Sequence, residues 1–513
     1  MKQDMQKNKY GKVYIAGAGP GDAGLITVKA MECLRNCDVI FFDRLANTEL
    51  LMEARDDSEK IFVGKEAGHH YVSQEKTIEL LIEKAKEGKK VLRLKGGDPL
   101  IFGRGAEEAI ALRNEDIEFE FIPGITAGAA AATYAGIPFT HRNMVTQSVF
   151  ITAHESPDKP ESQVEWKHLA KMKNTNLIIY MGVSALPQIV KTLIKYGMDK
   201  NIPAALIENG TLPIQRTITS ELRRIPKKML ANNIKPPVIF FIGPTVAFHE
   251  KLKWFENKPL FGKRIVTTRA KDQTASISKK LSELGASVIP YNVIKTQYSE
   301  SITNIRDLLI SKKFDWIIFS SENGVRYFFR ELEAQGSDSR VLSGVKIGVI
   351  GTGTAAKLKI YSLLPDFIPS KFTSLSFVEE LPLKYDLKNK KVLRIKGNFK
   401  NDFLTDSLRD IGVNVSTLEV YKLSGVKPDD TIIKDLINNG ADAFMFTSIS
   451  TVNNFFDTIG GENAPRLLAD SNVVAIGPVT ASALKEKKVE NIIESEIQTI
   501  DGMLATLINI FKK

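Results

Sequence analysis

Residues Arg93-Leu94-Lys95-Gly96-Gly97-Asp98-Pro99-Leu100-Ile101-Phe102-Gly103-Arg104-Gly105 read as a strand running straight into two adjacent glycines, an Asp-Pro turn and a glycine-flanked arginine. Paired glycines expose backbone N–H and C=O groups to a bound molecule, and Pro99 fixes the turn. A purely structural turn has no need of so many permissive residues in succession, so the stretch is read as a binding loop at a strand end. The pattern G-x-x-x-x-G-K-[ST] is absent, which argues against a P-loop. Outward from this loop, apolar strands alternate with amphipathic helices. Val13–Ile15, Asp38–Phe42, Val91–Leu94, Phe119–Ile122, Ser148–Thr152, Leu177–Tyr180, Ala204–Ile207 and Val238–Ile242 read as strands, with helices over Leu25–Arg35 and Thr77–Glu87. The fold class is α/β.

Two further strand ends carry candidate site residues. Gly17-Ala18-Gly19-Pro20-Gly21-Asp22 follows the first strand. A dinucleotide fingerprint needs a third glycine where Asp22 stands, and Pro20 interrupts the turn, so a nicotinamide oxidoreductase is disfavoured. Asp43, in Phe41-Phe42-Asp43-Arg44-Leu45, falls at the carboxyl end of another strand, where open α/β sheets gather ligands. A turn or cap role fits the same residue. Val63-Gly64-Lys65 closes a short apolar stretch, and Lys65 alone reads as a solvated lysine.

The 513 residues exceed one ordinary core, so two or more domains are expected. The 43% apolar and 25% charged fractions are those of a globular chain. No apolar run approaches the roughly 20 residues of a membrane span, and Met1–Lys9 is polar; a soluble cytoplasmic enzyme is expected, with no membrane association. Cys33 and Cys37 read as ordinary thiols, and the six histidines form no ligand pattern, so no metal is expected. The net charge of +10 suits an acidic partner such as a polycarboxylate. Without a basic stripe, nucleic-acid binding, including RNA methylation, is not expected.

A charged segment with Pro259 and Gly262, spanning residues 251–262, precedes a fresh strand at Ile265–Thr268 and is read as the domain junction. Beyond it the chain repeats itself. KRIVTTRA from Lys263 is echoed by KKVLRIKG from Lys390, FDWIIFSSENGVRYFF from Phe314 by ADAFMFTSISTVNNFF from Ala441, and KIGVIGTGTAAKL from Lys346 by NVVAIGPVTASAL from Asn472. The spacing is near-constant and far longer than a solenoid period, so two similar α/β lobes are expected, with a ligand cleft between them. Their strand ends carry hydroxyl residues and glycines, among them Thr352, Ser448 and Thr480. Helix N-termini there suit carboxylates, although each residue alone fits ordinary N-capping.

GAGPGD, FFDRL, VGK, RLKGGDPLIFGRG, IPGITAGAAAATYAGIPFTHR and YMG occur in the order and spacing of the tetrapyrrole methylases. Residues 10–250 most resemble uroporphyrinogen-III C-methyltransferase. The resemblance implies a two-lobed fold holding S-adenosyl-L-methionine in its cleft. Pro20, Gly96, Gly97, Asp98, Ile101, Thr126, Ala127, Met181 and Gly210 would contact it. Asp43 takes the place of the family's proton acceptor and Lys65 of its donor. Arg44, Arg104 and Arg142 are candidates for substrate carboxylates. Ala127 stands where serine is common, and Ala153 replaces a glycine. The family usually forms homodimers.

Residues 263–513 resemble uroporphyrinogen-III synthase, through the FDWIIFSSENGV, IGTGTA, VYKL, TSISTVNNF and IGPVTA blocks. The resemblance implies lobes of about 263–296 plus 425–513 and of 297–424. It also implies ring closure of hydroxymethylbilane, with Thr352, Ser448 and Thr480 facing substrate and Tyr421 assisting hydroxyl departure. The two halves together would make uroporphyrinogen III and methylate it twice, at C-2 and C-7, to precorrin-2 on the way to siroheme or cobalamin. A rear half that only binds tetrapyrrole is the alternative.

Overall fold

The computed structural model describes residues 10–64, 72–153, 162–269, 271–299, 304–398 and 402–512. Two compact units emerge: residues 1–264 with 280–288 and 507–513, and residues 265–279 with 289–506. The described strands are, in chain order, β1 Val13–Gly17, β2 Val39–Phe42, β3 Glu59–Phe62, β4 Val91–Lys95, β5 Phe119–Ile122, β6 Gln147–Thr152, β7 Thr175–Tyr180, β8 Pro203–Glu208, β9 Arg216–Glu221 and β10 Val238–Ile242, then β11 Arg264–Thr267, β12 Ser287–Pro290, β13 Ile294–Tyr298, β14 Trp316–Phe319, β15 Lys346–Val349, β16 Lys391–Gly397, β17 Asn414–Gly425, β18 Ala443–Phe446, β19 Asn472–Ala475 and β20 Ile492–Glu494.

The first sheet is parallel, in the order β3-β2-β4-β1-β5. Both its faces are covered. Val13, Ile15, Phe41 and Val91 pack on one side, Ala16, Ile40, Leu92 and Leu94 on the other. The chain leaves β1 toward β2 on one flank and leaves β4 toward β5 on the opposite flank, so the order reverses between the central pair β4 and β1. A crevice opens outside the carboxyl ends of strands at such a reversal. The helix expected over Leu25–Arg35 begins at Val28, because Asp22 caps a separate 3-10 turn at Ala23–Leu25 and Thr27 caps the helix proper. The helix expected from Thr77 begins at Gln74, where Ser73 accepts from the Lys76 amide at 3.1 Å.

The second sheet runs β6-β7-β10-β8-β9, parallel between β6 and β7 and antiparallel elsewhere. Strand β9 (RTITSE) was not read from the sequence. It is a polar edge strand with no fully buried residue, so hydrophobicity gives it no signature.

The second unit carries sheets β12-β11-β18-β19-β20 and β13-β17-β16-β14-β15. Matching blocks of the repeat occupy matching places, since the order β11-β18-β19 in one sheet corresponds to β16-β14-β15 in the other. The copies are interleaved: β11 pairs with β18 of the later copy, and β16 of the later copy pairs with β14 of the earlier one. The strands of the second blocks both lead into serine N-caps, Ser321 and Ser448; the third blocks both start helices after a glycine with no side-chain cap, Gly351 and Gly477. Among the described residues no helix is long and apolar enough to cross a membrane, and no group of three His, Cys, Asp or Glu side chains could hold a metal ion.

Candidate functional site

The loops after β1 and β4 meet backbone to backbone. Gly97 N–H donates to Gly19 O at 2.7 Å, and Gly19 N–H donates back to Gly97 O at 3.3 Å. A Cβ on Gly17 would lie 2.6 Å from the Gly124 Cα, and one on Gly124 would strike the Gly97 carbonyl. Three chain segments therefore converge, with no room for a side chain at Gly17 or Gly124. Gly97 has φ +72°, the left-handed region that glycine enters without penalty. Asp98 ties the loop in place: Oδ1 accepts from Leu100 N–H at 2.8 Å and Oδ2 from Gly124 N–H at 3.0 Å.

Helix Ala127–Tyr134 starts beside this junction, with the Ala127 amide 3.5 Å from where a Gly97 Cβ would be. The Thr126 hydroxyl is 2.7 Å from the Tyr180 hydroxyl, which accepts from the Gly128 amide at 2.8 Å. Burial raises the pKa of that phenol. Met181, the next residue, sits at φ +54° and is half exposed. Ile101 and Ala127 pack against the same cluster as Ala131 and Tyr180, and Gly210 approaches Ala131 so closely that a Cβ there would lie 2.5 Å from its Cβ. Gly96, Gly97, Asp98, Ile101, Thr126, Ala127, Met181 and Gly210 are thereby gathered round one helix N-terminus, and Pro20 sits between Gly19 and Gly21 on the facing loop. A helix N-terminus without a side-chain cap and missing side-chain bulk make a cradle that fits a flat polar ligand with a carboxylate.

Asp43 turns at the end of β2. Its Oδ1 accepts from Leu45 N–H at 3.1 Å, and Leu45 lies against Gly96. Its Oδ2 is 3.4 Å from Arg93 Nη2. Arg93 Nε reaches Glu108 Oε1 at 3.2 Å, as do Lys95 Nζ at 2.7 Å and Gln74 Nε2 at 3.0 Å. Glu108 is fully buried and Arg93 and Lys95 are 4% exposed. Among the described residues Glu108 Oε2 finds no hydrogen-bond partner. Burial and the neighbouring Arg93 lower the Lys95 pKa, while Glu108 opposes them. Sequence reading missed this network. Arg93 and Lys95 alternate with Leu92 and Leu94, the pattern of a strand with one wet face, whereas β4 is central and covered on both sides.

Lys65 lies outside the described residues. Arg44 and Arg142 are exposed. Arg104, at φ +57°, pairs with Glu107 at 2.7 Å, an exposed contact of small energetic weight.

In the second unit Tyr421 is buried, its hydroxyl 3.1 Å from Ser321 Oγ and its ring stacked 5.9 Å from Tyr327. Burial raises its pKa. On the neighbouring strand Arg394 is buried and pairs with Asp402, which Lys396 also reaches at 3.0 Å. Thr352 is exposed at the first turn of an uncapped helix, and Thr480 is buried in the first turn of another. Ser448 accepts from Thr451 N–H at 3.3 Å in a capping box, and its hydroxyl also lies 2.9 Å from Ser450 Oγ. Arg269, at the end of β11, has its pKa lowered by burial and opposed by Glu322, which starts the helix after β14. The sequence places these residues in separate blocks and gives no sign of that proximity.

The family described as Tetrapyrrole (Corrin/Porphyrin) Methylases matches residues 12–226, and Uroporphyrinogen-III synthase HemD matches residues 275–505. The porphyrin biosynthesis protein HemD of Ruminiclostridium josui is 36% identical over 506 residues, which is 98% of each chain. The uroporphyrinogen-III C-methyltransferase of Bacillus subtilis is 40% identical over 337 residues, 65% of this chain and 68% of that one. A siroheme synthase of Nitrosospira multiformis is 42% identical over 256 residues, 50% of this chain and 54% of its own.

Proposed function

Because this chain belongs to the family that joins a tetrapyrrole methylase to a uroporphyrinogen-III synthase, we propose that it closes hydroxymethylbilane to uroporphyrinogen III and methylates that product at C-2 and C-7 to precorrin-2. The methylase domain is residues 10–250, the junction 251–262 and the synthase domain 263–513, with lobes of about 263–296 plus 425–513 and of 297–424. The observation that carries the methylase reading is the glycine-lined crevice between β1 and β4, with a helix N-terminus at its mouth.

S-adenosyl-L-methionine, when bound there, supplies an electrophilic methyl group. Gly97, Thr126, Ala127 and Gly210 leave room for it, and Met181 flanks it. The protein holds an electron-rich pyrrole carbon in line with that methyl, and such positioning supplies most of the acceleration. Asp43, oriented by Arg93 and the Leu45 amide, accepts the proton that the methylated ring releases, and Lys65 returns one. Arg44, Arg104 and Arg142 receive substrate carboxylates, Arg104 by exchanging Glu107.

Ring closure needs folding and desolvation of a linear substrate that already carries its leaving hydroxyl. The uncapped helix starts at Thr352 and Thr480 offer amides to its carboxylates. Tyr421 keeps its phenolic proton and can donate it toward the departing hydroxyl. The enzyme works in the cytoplasm as a homodimer formed through the methylase domain, without nucleic acid.

The test is to incubate the full chain with hydroxymethylbilane and S-adenosyl-L-methionine and identify the product by mass. Gain of two methyl groups on a type III macrocycle is expected, with uroporphyrinogen III accumulating when the methyl donor is omitted. A product lacking both methyl groups overturns the methylase reading, and a type I macrocycle overturns the synthase reading.

A further inference from the structure

We propose that the segment 251–262 is a positioning element of the methyl-donor crevice, acting on Asp22 from two sides through Glu256 and through Tyr134. The proposal rests on the reading of that crevice as the donor site.

One route is a chain of hydrogen bonds. Glu256 Oε1 accepts from Gln215 Nε2 at 2.8 Å and from Thr217 Oγ1 at 2.5 Å. Gln215 Oε1 accepts from Thr211 N–H at 2.8 Å, and Thr211 Oγ1 accepts from Asp22 N–H at 3.0 Å. The other route is aromatic. Tyr134 donates its hydroxyl proton to Asp22 Oδ2 at 2.7 Å, and its ring packs 5.0 Å from Trp254 and 4.7 Å from Phe255. Trp254 Nε1 donates in turn to Thr133 O at 3.1 Å.

Thr211 holds φ +74°, a region that a β-branched residue enters only under constraint. It is buried, and its amide and hydroxyl are both engaged, so the surroundings impose the conformation. That conformation aims the hydroxyl at Asp22 and the amide at Gln215. Asp22 closes the loop Gly19-Pro20-Gly21, which has little side-chain bulk of its own to fix it. A loop rich in glycine loses much conformational entropy on ordering, and anchoring it beforehand moves that loss from binding to folding. The segment that joins the two halves is thus built into the floor of the donor site.

The experiment uses the full chain with S-adenosylhomocysteine as the calorimetric probe. Glu256→Leu and Tyr134→Phe are each expected to raise its Kd at least fivefold. The KM for the methyl donor should rise in parallel, with kcat at saturating donor within twofold of wild type. Glu256→Gln keeps an oxygen acceptor and should bind within twofold of wild type, and ring closure should be unaffected throughout. Unchanged affinity in both Glu256→Leu and Tyr134→Phe overturns the proposal. Equal weakening by Glu256→Leu and Glu256→Gln, with a lowered melting midpoint in both, also overturns it, because the segment would then only support the fold. Failure of the wild-type chain to bind the probe removes the donor-site reading itself.

Discussion

Replacing Glu108 by leucine removes the carboxylate that Arg93 and Lys95 share beneath the first sheet. Arg93 keeps a longer contact to Asp43, while Lys95 is left in a covered site with Arg93 as its like-charged neighbour. Breaking a buried ion pair from one side destabilises by about 3–5 kcal/mol. Lys95 can shed part of this by releasing its proton, since its pKa already lies below the ordinary lysine value, so the lower end applies. About 3 kcal/mol corresponds to roughly a hundredfold change in an opening equilibrium. Hydrogen exchange read by mass spectrometry should show that increase for a peptide covering β4, with a peptide covering β18 unchanged as the internal reference. Replacing Arg93 and Lys95 by methionine in the Glu108→Leu background should return β4 to near wild-type protection, because removing a whole buried ionic cluster is often neutral. Methylation should be lost in that triple variant, since Asp43 has lost its arginine. Exchange of β4 within threefold of wild type in Glu108→Leu would refute the reasoning.

Asp43→Asn should lower methylation by about 10²–10⁴-fold, the range for a positioned acid or base, and leave ring closure intact; a parallel assay of both activities checks it. Gly17→Ala places a methyl group against backbone on both sides and should abolish donor binding, whereas Gly97→Ala meets only ordinary contacts and pays the left-handed φ alone, about 1–2 kcal/mol; calorimetry separates them. Tyr421 has a raised pKa in the folded chain, so its contribution to stability is complete below the ordinary tyrosine value of about 10 and is lost as pH climbs past it. Tyr421→Phe should therefore flatten the alkaline fall in melting temperature, and lower the rate of ring closure at neutral pH. Burial pushes the Cys37 thiol up to about 12, so at pH 8 it should resist alkylation in the native chain and react on unfolding, as peptide mapping would show.

The residues legible in the sequence are those whose chemistry is local. Glycines at 17, 19, 96 and 97 and the proline at 99 announce a backbone conformation, and that conformation is where the crevice forms. The repeat likewise announced two related sheets, because strand and cap recur together at Ser321 and Ser448. What stayed hidden depends on partners far along the chain. Glu108 looks like a helix-surface acid until β4 is known to be central. Thr211 and Gln215 look like turn residues until Asp22 and Glu256 are found beside them. Ser448 shows both readings at once, since the residue that resemblance places toward the substrate is also a local helix cap.

The interleaving of the rear strands has a consequence for synthesis on the ribosome. Strand β16 emerges after β14 and β15, so it can add to them at once. By contrast β11, already formed, must wait for β18 and β19, which are made far later. During that interval its free edge is exposed to misdirected pairing. A premature stop ahead of β18 would therefore strand β11 rather than yield a usable half, and dividing the gene between the two copies would split each sheet, two strands to one product and three to the other.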